Sequence, residues 1–413
     1  MLFEKSYTTS NWTLPSHTAL FTSLFGVSHG VYWGQHRIPP SAVMLAEVLR
    51  KNGFFCQAVT GGGLVSPFYG FWRGFDLYRS AEGGLAKENS AELVFAAAAA
   101  WLEKNTDKDT FLFLHTYQVH APYDSPPPFD SMFTPENSRL STFSFDDLGG
   151  RSGSFKTLPE ADRRNIIGLY DGEIRYTDDA LIGPLIGKLK ALGLYDRTMI
   201  ILLSDHGEEF LERGAWQHGQ NLYEETLRVP LVIKFPRSRF HGKKITGVCR
   251  LIDVMPTILE EMKIEPFPQE LDGASLLPLI TGKEKDGRFF LADTCYPSLN
   301  LGDPKRTPPP GDLEPDIIAF GDADTKLILN RRISPEYALE YSPPRPARPE
   351  VELYDLRSDP AEKVNLATDR PVVVREMLRH IQELYGKPSR RRGSRVEIDP
   401  QLREELRALG YIH

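Results

Sequence analysis

The chain has 413 residues, of which 41% are hydrophobic, a net charge of -7 and a pI near 5.9. That length can bury a large core, in two or three domains by size alone, and the scattered Lys and Arg leave no basic face of the kind that nucleic acid requires. Cys56, Cys249 and Cys295 lie far apart with no CxxC spacing, which excludes a disulfide framework or zinc knuckle and reads them as small buried apolar residues.

Taken from the amino end, MLFEKSYTTSNW lacks the basic end and apolar run of a leader, and no window along the chain reaches the roughly 18 apolar residues of a membrane span. TLPSHTALFTSLF, from Thr13, is an apolar helix-like run with Pro15 near its start. Thr13 or Ser16 then stands at a helix N-terminus. There it either meets an anion or a developing alkoxide in the field of the helix dipole, or serves as a simple N-cap. SAVMLAEVLRKNG (41–53), ENSAELVFAAAAAWLEKN (88–105) and residues 165–193 read as helices, with Gly53 and Gly193 placed as C-caps. FFCQAV (54–59), TFLFLHTY (110–117), TMIILLS (198–204) and VPLVIKF (229–235) are continuous apolar runs of the kind expected in strands covered on both faces.

This alternation predicts an α/β fold, a mostly parallel mixed sheet flanked by helices. The Pro-, Ser- and Gly-rich stretch 125–154 predicts a long surface excursion near the site. From about 290 the texture changes to Pro-rich loops between short strand-like pieces such as TKLILN and VELYDL, followed by a charged helix. A division into residues 1–289 and a smaller α+β subdomain, 290–413, is expected. The one sharp basic cluster, RRR at 390–392, reads as part of a solvated helix or linker.

Three short motifs carry chemistry. SDHGEE (204–209) follows an apolar strand, so Asp205 and His206 fall at its carboxyl end, where open α/β sheets place ligands. A carboxylate beside an imidazole suits Zn or Mn better than Ca, whereas the bland alternative is an Asp-Gly turn. HTYQVHAPY puts His120 just past another strand, positioned to hold an anionic oxygen or protonate a leaving group, or simply to hydrogen-bond at the surface. WQHGQNLYEETLRVPLVI brings His218 ahead of a third strand. His115 reads as buried within its own strand, and His29, His36 and His241 have no supporting context.

TLPSHTALFTSL, GFDLY, HAPY, SDHGEE, HGQNLYEETLRVPLVI, DVMPTIL, LDGASLLPLITG, ELYDLRSDPAEKVNLA and the terminal ALGYI occur in an order that resembles the sulfatase family, within the alkaline phosphatase-like superfamily of metal-dependent ester hydrolases. The resemblance runs along essentially the whole chain. It implies an alkaline phosphatase-like fold, a divalent ion (Ca, Mn or Zn) on Asp205, His206 and Thr13, a substrate-contacting His120 in the HxPY motif and a second substrate group near His218. The family's Cys/Ser-x-Pro-x-Arg signature, whose first residue becomes formylglycine, matches Thr13-Leu14-Pro15-Ser16-His17, with threonine at the nucleophile and histidine at the arginine position. Threonine cannot give that aldehyde, and a threonine nucleophile resembles the phosphodiesterase and phosphoglycerol- or phosphoethanolamine-transferase branches. The family's Gly-Lys-Trp-His segment is replaced by TGGGLVSPFYG (60–70). Relatives begin with a strand ending in paired aspartates, and none precedes Thr13, since Glu4 is a poor substitute; an N-terminally shortened copy, missing a central strand and one or two carboxylate ligands, is expected.

The expected activity is hydrolysis of a sulfate or phosphate ester of a small molecule, glycan or lipid head group, with Thr13 as the metal-activated nucleophile and His120 and His218 on the ester's oxygens. The alternatives are a phosphoryl-group transferase and a catalytically inactive binding member of the family.

Overall fold

The computed structural model describes residues 1–80, 90–134, 159–214, 216–264, 270–285, 287–295, 315–331, 348–386, 393–395 and 398–408. The basic cluster 390–392 lies outside them, as does the 125–154 excursion beyond residue 134.

Leu2–Tyr7, too mixed in polarity to stand out in the sequence, forms strand β1 and leads directly into helix α1, Thr13–Thr22. Helix α2 (Leu45–Lys51) ends at Asn52 and Gly53, the latter at φ +88, as expected of a C-terminal glycine. Strands β2 (Phe55–Thr60) and β3 (Leu77–Ser80), helix α3 (Ser90–Glu103) and strand β4 (Thr110–Leu114) follow. The helical pattern of 165–193 resolves into α4 (Glu160–Thr177), a wide π-turn over Asp178–Ile182 and α5 (Gly183–Ala191). Pro184, at the start of α5, has no N–H to continue the ladder of α4, which accounts for a break there. Next come β5 (Ile200–Leu203), the short strands β6 (Glu209–Phe210) and β7 (Trp216–Gln217), then β8 (Leu231–Lys234), β9 (Lys244–Arg250) and α6 (Val254–Glu261).

Two sheets form the central layer. One has the order β9-β1-β8-β5, in which β1 and β9 are parallel and β8 runs antiparallel to both β1 and β5; the other, β3-β2-β4, is wholly parallel. Both lie between the same helical layers. Leu112 of β4 and Ile200 of β5 pack with Trp101 and Leu189 of α3 and α5, while Phe113 and Ile201 pack on the main core around Trp12, Leu14 and Phe21. Among the described residues β4 and β5 each pair on one side, and β5 leaves Leu202 44% exposed although its sequence is apolar on both faces. Among the described residues, each of the two sheets therefore shows an unpaired edge, at β4 and at β5, where continuous apolar runs lead one to expect full coverage.

The C-terminal subdomain is a four-stranded antiparallel sheet, β10 (Phe290–Thr294), β11 (Ile317–Gly321), β12 (Thr325–Asn330) and β13 (Val351–Asp355), backed by α7 (Pro371–Tyr385). Its faces pack on Tyr7, Leu222 and Leu227 on one side and on Ala19, Phe25 and Ile252 on the other. Helix α8 (Pro400–Ala408) returns to the large core through Leu402 and Leu406, and Glu405 accepts from the Gly63 N–H at 3.3 Å. The three cysteines are buried. No described helix is long and apolar enough to cross a membrane.

Candidate functional site

Helix α1 starts at Thr13 with Trp12 in the N-cap position and no side-chain cap, so neither Thr13 nor Ser16 is the N-cap that their residue types suggest. Ser16 instead donates to the Asp205 carbonyl at 2.6 Å and shares a 2.9 Å hydrogen bond with Thr8, whose hydroxyl reaches the Ser10 carbonyl at 3.0 Å. These buried hydroxyls tie the start of α1 to the end of β5 and bring Thr13 to the SDHGEE turn. The Thr13 Oγ1 lies 3.4 Å from Nε2 of His206, with the Thr13 residue 1% exposed.

The turn itself requires a glycine for space. A Cβ on Gly207 would meet the Glu225 carbonyl oxygen at 2.0 Å, and the Gly207 N–H donates to Thr226 at 2.9 Å. His206 places Nδ1 2.9 Å from the Gly207 carbonyl, so the neutral ring carries its proton on Nδ1 and its lone pair on Nε2. The Asp205 Oδ2 is buried without a hydrogen-bond donor and lies 3.5 Å from that Nε2 and 3.3 Å from Nδ1 of His17. Burial alone would raise the Asp205 carboxyl, but the facing imidazoles of His206 and His17 outweigh it and hold it well below the usual carboxylate range. An oxygen and a nitrogen, each with an unshared pair and close together, fit two protein donors to a divalent ion. Among the described residues no third His, Cys, Asp or Glu joins them in a metal-holding group.

The short β6–β7 hairpin sets the next group. Its register pairs Glu209 with Gln217, so the flanking residues Glu208 and His218 come together, Nδ1 of His218 lying 2.9 Å from Glu208 Oε1. The hairpin is anchored beside Thr13 by Asn11, whose carbonyl accepts from the Gly219 N–H at 3.0 Å and whose amide donates to the Asn221 carbonyl at 2.6 Å. The His218 ring stands 4.0 Å from that of His206 and 5.2 Å from that of His120. His120 directs Nδ1 to the Ala121 carbonyl at 2.7 Å; desolvation, reinforced by His218, pulls its imidazole down to about 3.

All five residues singled out in the sequence, Thr13, His120, Asp205, His206 and His218, therefore occupy one region at the carboxyl ends of β4 and β5. Three further groups were missed. His17 spans the Thr13 carbonyl, at 2.9 Å, and Asp205. His115, expected inside its strand, instead extends β4 by one residue and is half-buried. Its ring faces His17 at 5.1 Å because the last ladder bond, to Val59, carries it beyond the covering helices. Glu208 was visible as the second acidic residue of SDHGEE, but a ten-residue separation from His218 gives no signal without the hairpin register. The 60–70 segment holds two short 3₁₀ turns, Gly63–Val65 and Pro67–Tyr69, and contributes no basic side chain to the site.

The layered mixed sheets flanked by helices have the alkaline phosphatase-like fold, with the polar cluster at the carboxyl ends of β4 and β5. The structure superposes on the phosphonate monoester hydrolase of Agrobacterium radiobacter with a TM-score of 0.74 at 19% identity, over 94% of this chain and 88% of that one. The family model named Sulfatase matches residues 1–264, and the chain belongs to the sulfatase family of ester hydrolases. It is 29% identical over 314 residues to the multifunctional alkaline phosphatase superfamily protein PehA of Trinickia caryophylli, a match that spans 69% of this chain and 57% of that protein. It is 24% identical over 431 residues to arylsulfatase K of Bos taurus, covering 94% and 75%. Members of this superfamily use divalent metal ions.

Proposed function

We propose that this chain hydrolyses phosphate or sulfate esters with Thr13 as the attacking group, and that phosphorus is the preferred centre. The observation that carries the reading is a buried threonine hydroxyl at the first position of a buried helix, 3.4 Å from Nε2 of His206 and in the same cluster as Asp205. A threonine side chain bears a methyl on its carbinol carbon and yields no aldehyde, so a hydrated-aldehyde route is closed to it. Direct attack by the hydroxyl is the chemistry that remains.

Asp205, His206 and Thr13 are the residues that would hold a divalent ion, which when bound supplies Lewis acidity and lowers the pKa of the hydroxyl. The dipole of α1 favours the negative oxygens of the ester near Thr13. Burial, reinforced by His218, holds the His120 imidazole far below its ordinary value, and a dianionic ester beside it would favour the imidazolium. A bond forms from Thr13 Oγ1 to phosphorus as the bond to the leaving oxygen breaks; the hydroxyl proton passes to solvent, the imidazolium form of His120 or His218 gives the leaving oxygen its proton, and water then attacks phosphorus and returns a proton to Thr13 Oγ1 as that oxygen departs. The substrate is the ester of a small molecule, a glycan or a lipid head group.

The test is hydrolysis of an aryl phosphate monoester, an aryl phosphodiester and an aryl sulfate, each with added Mn, Zn or Ca, by the wild type and by Thr13→Ala. Thr13-dependent turnover that is fastest on a phosphorus ester supports the reading. Turnover that survives in Thr13→Ala overturns the nucleophile, product that appears only with an acceptor alcohol moves the protein to phosphoryl transfer, and folded protein silent on all three without metal uptake makes it a binding member.

A further inference from the structure

Three histidines facing the site point Nδ1 at a backbone oxygen: His17 at the Thr13 carbonyl, 2.9 Å, His206 at the Gly207 carbonyl, 2.9 Å, and His120 at the Ala121 carbonyl, 2.7 Å. A carbonyl can only accept, so each of these rings carries a proton on Nδ1, and its neutral form has the lone pair on Nε2. His218 is the exception in kind, because its Nδ1 meets a side chain, Glu208 Oε1, at 2.9 Å. Both partners are nearly buried, with 2% and 7% of their side chains exposed. The other oxygen of Glu208 accepts from the Tyr123 hydroxyl at 2.8 Å, and Tyr123 is itself fixed in the cluster of Ile166, Leu169 and Trp216. A buried carboxylate is costly unless it is hydrogen-bonded, and here both oxygens are engaged.

We propose that Glu208, held by Tyr123, is a positioning residue that sets the tautomer of His218. Nε2 is then the atom that accepts a proton in the neutral ring and gives it back from the imidazolium, beside the rings of His206 and His120. The inference rests on the reading of Thr13 and its neighbours as a hydrolytic site, and it adds the group on which the orientation of the second substrate histidine depends. Carboxylates that orient a working imidazole are commonly worth 10- to 100-fold in activity. Glu208 flanks the hairpin across from His218, while Tyr123 comes from the loop after β4, so the carboxylate that orients the ring is held from outside the hairpin.

Long-range ¹⁵N–¹H NMR of the full chain labelled at histidine nitrogens reads the tautomer without substrate or metal. The wild type is expected to show His218 protonated at Nδ1, and Glu208→Gln to show it mixed or reversed, because the carboxamide can also donate. Tyr123→Phe leaves the acceptor in place and is expected to keep the Nδ1–H form with a broadened signal. On whichever ester is turned over, Glu208→Gln is expected to lose roughly 10- to 100-fold in kcat with little change in KM. An unchanged tautomer in folded Glu208→Gln, shown by an unaltered Tm and far-ultraviolet dichroism, overturns the proposal whether or not turnover is found. A changed tautomer with no hydrolysis by the wild type sustains the positioning role and rejects the hydrolytic reading. Should Glu208→Gln fail to fold, loss of the Nδ1–H form in Glu208→Asp, whose shorter carboxylate draws back from His218, sustains the proposal, and its retention overturns it.

Discussion

Two buried charged clusters in this molecule are built in opposite ways. Beneath the C-terminal sheet, Lys326 is fully buried with Nζ 2.8 Å from Glu362 and 3.1 Å from Glu224, and Glu362 also accepts from the Glu224 N–H at 2.8 Å. Burial alone would lower the Lys326 ammonium, but the two carboxylates raise it above its ordinary value. At the carboxyl ends of β4 and β5, by contrast, one carboxylate faces several imidazoles, and both Asp205 Oδ2 and His115 Nδ1 are buried without a hydrogen-bond partner. A cluster that answers each charge with its opposite joins two parts of the fold. One that leaves a buried carboxylate oxygen and a buried ring nitrogen without hydrogen-bond partners has the pattern that binding sites use.

That contrast is broken most sharply by separating activity from stability. Thr13→Ala is expected to lower Thr13-dependent ester turnover by roughly 10⁴-fold while Tm stays within a few degrees, as measured by initial rates and calorimetry on the same sample. In the other cluster, Lys326→Ala is expected to cost about 3–5 kcal/mol in chemical unfolding, because two carboxylates stay buried without their cation. Lys326→Met should cost less than Lys326→Ala, and equal losses would show that packing rather than charge is at stake.

A smaller effect sharpens the same line between structural and reactive charge. Asp293 is buried where β10 meets α7, accepting from Tyr32 at 3.1 Å and from Tyr385 at 2.5 Å, and burial pushes its carboxyl up to about 7 despite these two donors. The folded value lies above the unfolded one, so the native state holds its proton longer. Stability is fullest below about pH 4 as far as this group is concerned, and it falls as pH rises from about 4 to 7. The gap corresponds at most to on the order of 4 kcal/mol. Asp293→Asn is expected to flatten that part of the pH–stability curve, which urea unfolding at pH 5 and pH 7.5 measures. Smallest of all, Ser16→Ala removes the donor to the Asp205 carbonyl and should cost about 1–2 kcal/mol, with a drop in turnover if α1 shifts away from the SDHGEE turn.

The site was more legible in the sequence than the sheet around it. Asp205, His206, His120 and His218 each follow or precede an apolar run, and strand ends are where a parallel sheet collects its polar groups. Thr13 could be placed at a helix start, although its residue type suggested a cap, and the cap position belongs to Trp12. The β1 strand was hidden because LFEKSY mixes charges with apolar residues; its neighbours β9 and β8, far along the chain, decide its pairing. The open edges of β4 and β5 were equally invisible, since a continuous apolar run looks the same whether or not a strand lies beside it.

By itself the sequence determined the α/β layering, the strand ends that bear Asp205, His120 and His218, and the apolar helix that starts at Thr13. These follow from local periodicity and from turn residues, which act within a few positions of the chain. Tertiary structure alone decided that Thr13 Oγ1 lies 3.4 Å from His206, that Ser16 and Asn11 hold the pieces in place, and that Glu208 meets His218. Each of those contacts depends on hairpin register or on packing between distant segments. Such geometry arises when several elements bury their apolar faces together, and no short stretch of residues encodes it.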